Sequence, residues 1–212
     1  MSEWEGNQTE YVHNSEGLGT HHAYLLPSID RFLGAPCNRS IFEIGFGNGS
    51  VANHFASNGF KVSGIEPSHD GVRIARKLYP HLDQLHQGNA YEPLAERYGT
   101  FSIVISLEVI EHVYAPRKLV ASAYSLLKPG GILILSTPYH GYLKNIAIAL
   151  TGKFDFHVHP LRDHGHIKFW SIKTLGELLR EGGFDDIRFM RVGRIPPLAK
   201  SMISVARRPD HH

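Results

Sequence analysis

A carboxylate two residues ahead of three alternating glycines is a pattern that can hold a charged ligand. In residues 41–50, IFEIGFGNGS, Glu43 precedes Gly45, Gly47 and Gly49, with Phe46 between the first two. The segment reads as a buried strand entering a glycine turn that opens a helix. Glycine accepts positive φ and has no Cβ, so backbone can turn sharply and press against a ligand. The free N–H groups of the following helix suit a carboxylate or a phosphate. The dinucleotide fingerprint G-x-G-x-x-G needs a glycine at position 50, where Ser50 stands. Glu43 would repel a pyrophosphate and suits a ligand carrying positive charge. A tight strand–helix turn without a ligand is the alternative reading of these residues alone.

More residues of the same kind follow in order. Residues 61–65, KVSGI, read as a second strand ending in Glu66-Pro67-Ser68. Glu66 has the spacing at which an acid after the second strand of a Rossmann-like unit accepts ribose hydroxyls. Gly88-Asn89-Ala90 follows a stretch near Leu85, where an adenine edge is expected. Residues 101–106, FSIVIS, form another buried-strand run before LEVIEHV, and LLKPGGILILSTP over 126–138 reads as a helix end, a turn and a fifth strand. The ordered set EIGFGNG, GIEPS, GNA, SLEVIEHV and LLKPGGILILSTP resembles the class I S-adenosylmethionine-dependent methyltransferases. It is most similar to their small-molecule branch, typified by the ubiquinone-pathway O-methyltransferases, over residues 38–208. The resemblance implies S-adenosyl-L-methionine as cofactor, whose ammonium and sulfonium suit Glu43. It implies that Glu43 and Gly45 take the methionine amino end, Glu66 and Pro67 the ribose, and Asn89 and Ala90 the adenine. Phe46, Gly47, Gly49, Ser106 and Leu107 line the same sheet edge. Many family members carry Asp where Asn89 stands, and the amide carbonyl can still accept from the adenine amino group.

Methyl transfer from a sulfonium is an in-line displacement, so alignment of donor and acceptor is the main demand. An oxygen or nitrogen acceptor also has to lose a proton, to a base or beside a metal. Three groups of residues compete for that work. If LEVIEHV starts a helical turn, Glu108, Glu111 and His112 share a face and can hold a divalent cation such as Mg²⁺ or Zn²⁺. Metal dependence is implied by the resemblance; capping of neighbouring backbone is the alternative. Tyr139 and His140 follow the fifth strand at the edge that faces an acceptor, and His140 titrates in the range of a general base. The last group is His157, His159, His164 and His166, two H-x-H pairs without cysteine partners. These read as loop hydrogen-bonding residues, with His166 beside the run 167–170 that closes on the pocket.

The elements needed to position these groups are legible as alternating strands and helices. Helices are expected over 50–57, stopped by Asn58-Gly59, over 70–78, closed by Pro80, and over 116–127. A helix over 171–180 has Ser171 as N-cap and Gly182-Gly183 as its stop. Strands over 186–192 and 201–207 finish the chain. Alternation of this kind argues an α/β fold, a Rossmann-like parallel sheet with helices on both faces. The resemblance implies seven strands in the order 3-2-1-4-5-7-6 with the last antiparallel. Residues 1–37 form an N-terminal cap, with apolar residues at helical spacing over 22–33. Residues 139–170 are too long for a plain connection and read as a lid over the acceptor; an ordinary surface excursion is the alternative.

Composition narrows the function classes. The chain of 212 residues suits one domain, and a net charge of +2 gives no pull toward nucleic acid or membrane. The single cysteine, Cys37, excludes an internal disulfide framework. The start, MSEWEGNQTE, does not read as a signal peptide, and no apolar run reaches spanning length, so a cytoplasmic location is the default expectation. Asp210, His211 and His212 are set aside as a tag. A base-flipping [ND]-P-P-[YFW] motif is missing after the fourth strand, where SLEV stands. The expected function is methyl transfer to an oxygen of a small-molecule acceptor by in-line displacement, giving S-adenosylhomocysteine, with a homodimer as the candidate assembly. A non-catalytic S-adenosylmethionine-binding subunit and a protein or nucleic-acid methyltransferase are the competing classes.

Overall fold

The computed structural model describes residues 17–35, 39–158, 161 and 165–210. The expectations placed on residues 1–16, on Cys37, His159 and His164 and on the terminal histidines lie outside those residues. The strands are β1 (Ser40–Ile44), β2 (Lys61–Glu66), β3 (Leu85–Gln87), β4 (Phe101–Leu107), β5 (Leu127–Pro138), β6 (Asp185–Val192) and β7 (Ser201–Arg207). They form one seven-stranded sheet in the order β3-β2-β1-β4-β5-β7-β6. The first five pair in parallel, and β7 is antiparallel to both β5 and β6. This is the Rossmann-like arrangement expected.

The side-chain period of two sorts the strand residues onto two buried faces. Ile41, Ile103, Ile105, Ile134, Ile203 and Val205 meet one set of helices: α1 (His22–Leu33), through Leu25, Leu26, Ile29 and Leu33, and α2 (Ser50–Ser57), through Val51 and Phe55. Phe42, Ile44, Val104, Leu133 and Leu135 meet the other set. That set is α4 (Leu94–Tyr98), α5 (Pro116–Leu126) and α8 (Ile172–Glu181). A smaller cluster joins Phe46 and Leu85 to α3 (His69–Leu78) through Val72 and Ala75. Continuous apolar runs such as FSIVIS are thus buried on both sides, as parallel strands require. α1, the expected cap helix, is a core helix of the sheet face. Its Tyr24 hydroxyl lies 3.3 Å from Ser201 Oγ.

Local signals set most boundaries. Pro116 starts α5 because it lacks the N–H that a first turn leaves unpaired. Leu127, expected to end that helix, is instead extended and begins β5, which bulges at the Phe101/Ile103 register shift before pairing regularly. Ser171 and Thr174 form a reciprocal capping box at the start of α8. No helix among the described residues is long and apolar enough to cross a membrane.

The segment over 139–170, expected as a lid, contains α6 (Tyr142–Leu150) and α7 (Phe154–His157). Its return is pinned to the sheet edge. The N–H groups of Ile167 and Lys168 donate to the Glu111 carbonyl at 2.9 and 3.1 Å, and His140 N–H donates to the Trp170 carbonyl at 3.0 Å. Ser171→Ala removes the cap that follows this return. It is expected to cost about 0.5–2 kcal/mol in urea unfolding, with cofactor affinity unchanged because α8 packs on the face away from Glu43.

Candidate active site

The carboxyl ends of β1, β2 and β4 gather the expected cofactor residues at one edge. Gly45 has φ +82°, and a Cβ there would lie 2.6 Å from Val109 Cγ2. The glycine turn therefore fits under the turn after β4 only because it is bare backbone. Gly49 is left-handed and caps α2. Ser50, standing where a dinucleotide fold has glycine, donates through Oγ to the Gly17 carbonyl at 3.0 Å, as does Asn48 Nδ2 at 2.9 Å. The segment before α1 is thereby tied to the glycine loop.

Two acids lie under this loop. Glu43 is buried on β1, and its Oε2 meets no hydrogen-bond partner. Burial, and then the nearby Glu66 carboxylate, push its pKa up to about 8. Gly64 stands opposite Glu43, and its missing side chain leaves room for Glu43 and Phe46. Glu66 accepts from Gly47 N–H and from Ser68 N–H, both at 2.9 Å. Its carboxylate thus links the glycine loop to the cap of α3. Pro67 is exposed, and its carbonyl accepts from Gln87 Nε2.

Other expected contacts stand differently. Ser106 is fully buried and its hydroxyl donates to the Ile44 carbonyl at 2.9 Å, so it ties β4 to β1 rather than facing a ligand. Leu107 packs in the core on the α1 side. Asn89 Oδ1 accepts from Tyr91 N–H in a local turn, and Asn89 N–H donates to Glu92 Oε1. The carbonyl expected to face an adenine amino group already accepts from Tyr91 N–H. Ala90 is half-buried against the core.

LEVIEHV is not helical. After β4, residues 108–112 make a tight turn in which Glu108 has φ +55°, a conformation that costs a non-glycine residue energy. Because the turn is not a helix, Glu108 and Glu111 point to different partners. Ser136 Oγ donates to Glu108 Oε1 at 2.8 Å and accepts from Glu108 N–H at 3.0 Å. Burial raises the Glu108 pKa to about 7. Glu111 is 1% exposed, and neither carboxylate oxygen has a hydrogen-bond partner. Burial, and then the Glu108 carboxylate, hold its pKa well above the usual range.

Two histidines face Glu111. His112 Nε2 and His166 Nε2 lie 3.9 and 4.0 Å from Glu111 Oε1. The rings meet edge to face at 4.9 Å. His112 Nδ1 lies 3.3 Å from the Gly165 carbonyl, which can only accept, so Nδ1 carries the proton and Nε2 is turned to Glu111. Ligand atoms of Glu111, His112 and His166 fall within 4.8 Å of one another. The cluster thus takes its third member, His166, from the segment over 139–170, in place of Glu108. The donor set, two imidazole nitrogens and one carboxylate, suits zinc-like ions better than Mg²⁺. His157 sits exposed on α7, apart from this group.

His140 is half-buried, with Nδ1 3.2 Å from Asn145 Oδ1 and its ring against Phe169. Burial lowers its pKa. Tyr139, expected to face the acceptor, is packed in the core with Trp170. Sequence reasoning missed Ser136, Ser201 and Thr137, which surround the two acids of the turn. Their only signal is small polar residues ending apolar strands, which spacing rules do not flag.

The Glu43 shift has a definite sign. Between pH 4.5 and about 8 the fold keeps a proton that the unfolded chain has released, so stability falls as pH rises through this window. Without cofactor, Glu43→Gln is expected to gain stability over the wild type as pH rises from 4.5 to about 8, read by urea unfolding. A pH-independent difference would contradict the burial account.

A family profile described as a methyltransferase domain matches residues 19–188. The chain is similar to the ubiquinone biosynthesis O-methyltransferase of Burkholderia pseudomallei, 30% identical over 176 residues, covering 81% of this chain and 75% of that one. It is similar to the enzyme of the same name from Aromatoleum aromaticum, 28% identical over 171 residues, covering 79% and 73%. The fold matches magnesium protoporphyrin IX methyltransferase from Synechocystis with bound S-adenosylhomocysteine. There the TM-score is 0.66 at 21% identity, covering 89% of this chain and 83% of that one. It also matches a methyltransferase from Archaeoglobus fulgidus, with TM-score 0.63 at 15% identity, covering 86% and 93%. The glycine turn over a buried acid, the sheet order and these likenesses agree: the chain belongs to the class I S-adenosylmethionine-dependent methyltransferases.

Proposed function

We propose that this methyltransferase acts on a small-molecule acceptor, at an oxygen, in the space between the lid over 139–170 and the turn over 108–112. The observation that carries this reading is Glu111, a buried carboxyl with both oxygens unpaired and two imidazole nitrogens turned toward it. A sulfonium donor needs no such group, whereas a hydroxyl acceptor has to lose a proton. The name borne by the relatives, an O-methyltransferase, supports the same atom.

On this reading the glycine turn holds the methionine end of S-adenosylmethionine, with the unpaired Glu43 oxygen available to its ammonium. Glu66 accepts from the ribose while retaining its two backbone donors. Asn89 offers Nδ2 to a ring nitrogen of adenine, beside Ala90. Glu111, His112 and His166 would hold a divalent cation. Bound there, such an ion lowers the pKa of an adjacent hydroxyl. The protein's part is to keep His112 oriented through the Gly165 carbonyl and to release the Glu111 proton when the site is loaded.

A second reading rests on His140. With Asn145 Oδ1 as acceptor, Nδ1 carries the proton and Nε2 keeps its lone pair. The lowered pKa keeps the ring neutral at pH 7, ready to take the acceptor proton directly.

Methyl-labelled S-adenosylmethionine, offered with a fractionated cell extract, tests the reading. Label is expected in solvent-extractable small molecules; label in the macromolecular pellet would overturn it. In the same assay a chelator is expected to abolish turnover and Zn²⁺ to restore it, with His166→Ala raising the Zn²⁺ required. Full activity in chelator, lost in His140→Ala, would assign the proton to His140 instead. Glu66→Ala is expected to weaken S-adenosylmethionine binding by about 10- to 100-fold in calorimetry, the loss of a buried charged hydrogen bond.

A further inference from the structure

Ser50 stands where a dinucleotide fold has glycine, and cofactor binding alone gives its side chain no task. It is 3% exposed, at the start of α2. Its Oγ and Asn48 Nδ2 both donate to the Gly17 carbonyl, at 3.0 and 2.9 Å. These donors belong to the loop that leaves β1. Further along the same segment, the Tyr24 hydroxyl meets Ser201 Oγ at 3.3 Å. Ser201 opens β7 and lies opposite Pro138, at the carboxyl end of β5. In the sheet, β4 and β5 separate β7 from β1. Residues 17–24 therefore run between two anchors at the carboxyl edge of the sheet, one on the glycine loop and one beyond β4 and β5.

The chain between the anchors is shaped for this course. Gly17 has φ +96°, a conformation that strains any residue with a side chain. Gly19 N–H donates to His22 Nδ1 at 2.9 Å, and the Gly19 carbonyl accepts from His22 N–H at 3.0 Å. Accepting at Nδ1 requires a neutral ring. Burial, then His21 and His54, bring the His22 pKa down to about 4, so the ring keeps this bond at neutral pH. The glycine loop is fixed on its other sides as well. Gly47 N–H donates to Glu66, and Val109 presses on Gly45.

We propose that Asn48, Ser50 and Tyr24 are positioning residues that hold residues 17–24 as a strap across the cofactor edge, and that this strap sets how fast S-adenosylhomocysteine leaves. A ligand seated on the glycine loop, under a chain tied at both ends, departs when one of the ties opens. Opening gives up the hydrogen bonds of that tie, so release is slower than from a bare edge. A local role for Ser50, as a side chain that steadies the start of α2, gives Tyr24 no part in release, because Tyr24 is anchored on β7. The inference concerns the cofactor edge and is independent of where the acceptor loses its proton.

Dissociation of tritiated S-adenosylhomocysteine from the full chain, chased with the unlabelled compound, tests the strap. Ser50→Ala and Tyr24→Phe are each expected to speed release by about 3- to 10-fold, and the double variant by about 10- to 100-fold, the range of one or two hydrogen bonds. Wild-type release in either single variant would overturn the strap; in Tyr24→Phe it would confine the effect to the glycine loop. Hydrogen exchange supplies a readout that needs no substitution, and it decides the matter where a variant does not fold. In the wild type, exchange of the backbone amides over 17–24 is expected to slow when S-adenosylhomocysteine is added, and in the double variant that slowing is expected to be lost. Exchange over 17–24 that is the same with and without S-adenosylhomocysteine in the wild type would overturn the proposal.

Discussion

The close approach of Val109 to Gly45 is the contact on which the site depends. Strands β1 and β4 are neighbours in the sheet, so the turns at their carboxyl ends must share one small volume. A Cβ at Gly45 would lie 2.6 Å from the Val109 side chain. The bare backbone lets the turn over 108–112 settle on the glycine loop, and this brings a turn rich in acids beside the cofactor edge. The same turn pays with a left-handed Glu108, held in place by the double hydrogen bond with Ser136.

Burial of carboxyl groups follows from that geometry. Glu43 and Glu66 lie beneath the glycine loop, and Glu108 and Glu111 above it. Each pair shares its charge at close quarters, so Glu43 and Glu111 are held protonated by burial and by their neighbours. Such groups favour positive charge in whatever they hold, and a sulfonium cofactor with an ammonium tail carries it. Glu66, between the glycine loop and α3, instead accepts from the backbone N–H groups of Gly47 and Ser68.

The lid supplies the opposite sign. Its return is fastened by the Glu111 carbonyl, which accepts from Ile167 and Lys168, and by Trp170 Nε1 donating to the Ile110 carbonyl. One backbone carbonyl of the turn thus holds the chain next to His166. The rest of the lid carries Lys144, Lys153 and His157 on short helices with apolar residues outward.

The sequence by itself determined the strand–glycine–helix edge of the sheet. Glu43, the alternating glycines, Glu66 and the strand–helix alternation are local patterns, and backbone preferences read them directly. The caps of α8 and the stop at Asn58-Gly59 are legible for the same reason. Local spacing misled at LEVIEHV, where i, i+3 and i+4 imply a shared helical face. The chain there is a turn compressed against Gly45, and the face does not exist. Which residue completes Glu111 and His112 was decided by tertiary structure alone. His166 reaches them because hydrogen bonds between distant backbone groups fold the lid onto the turn. Spacing rules carry no information about such pairings, nor about the burial that leaves the Glu111 carboxyl without a hydrogen-bond partner.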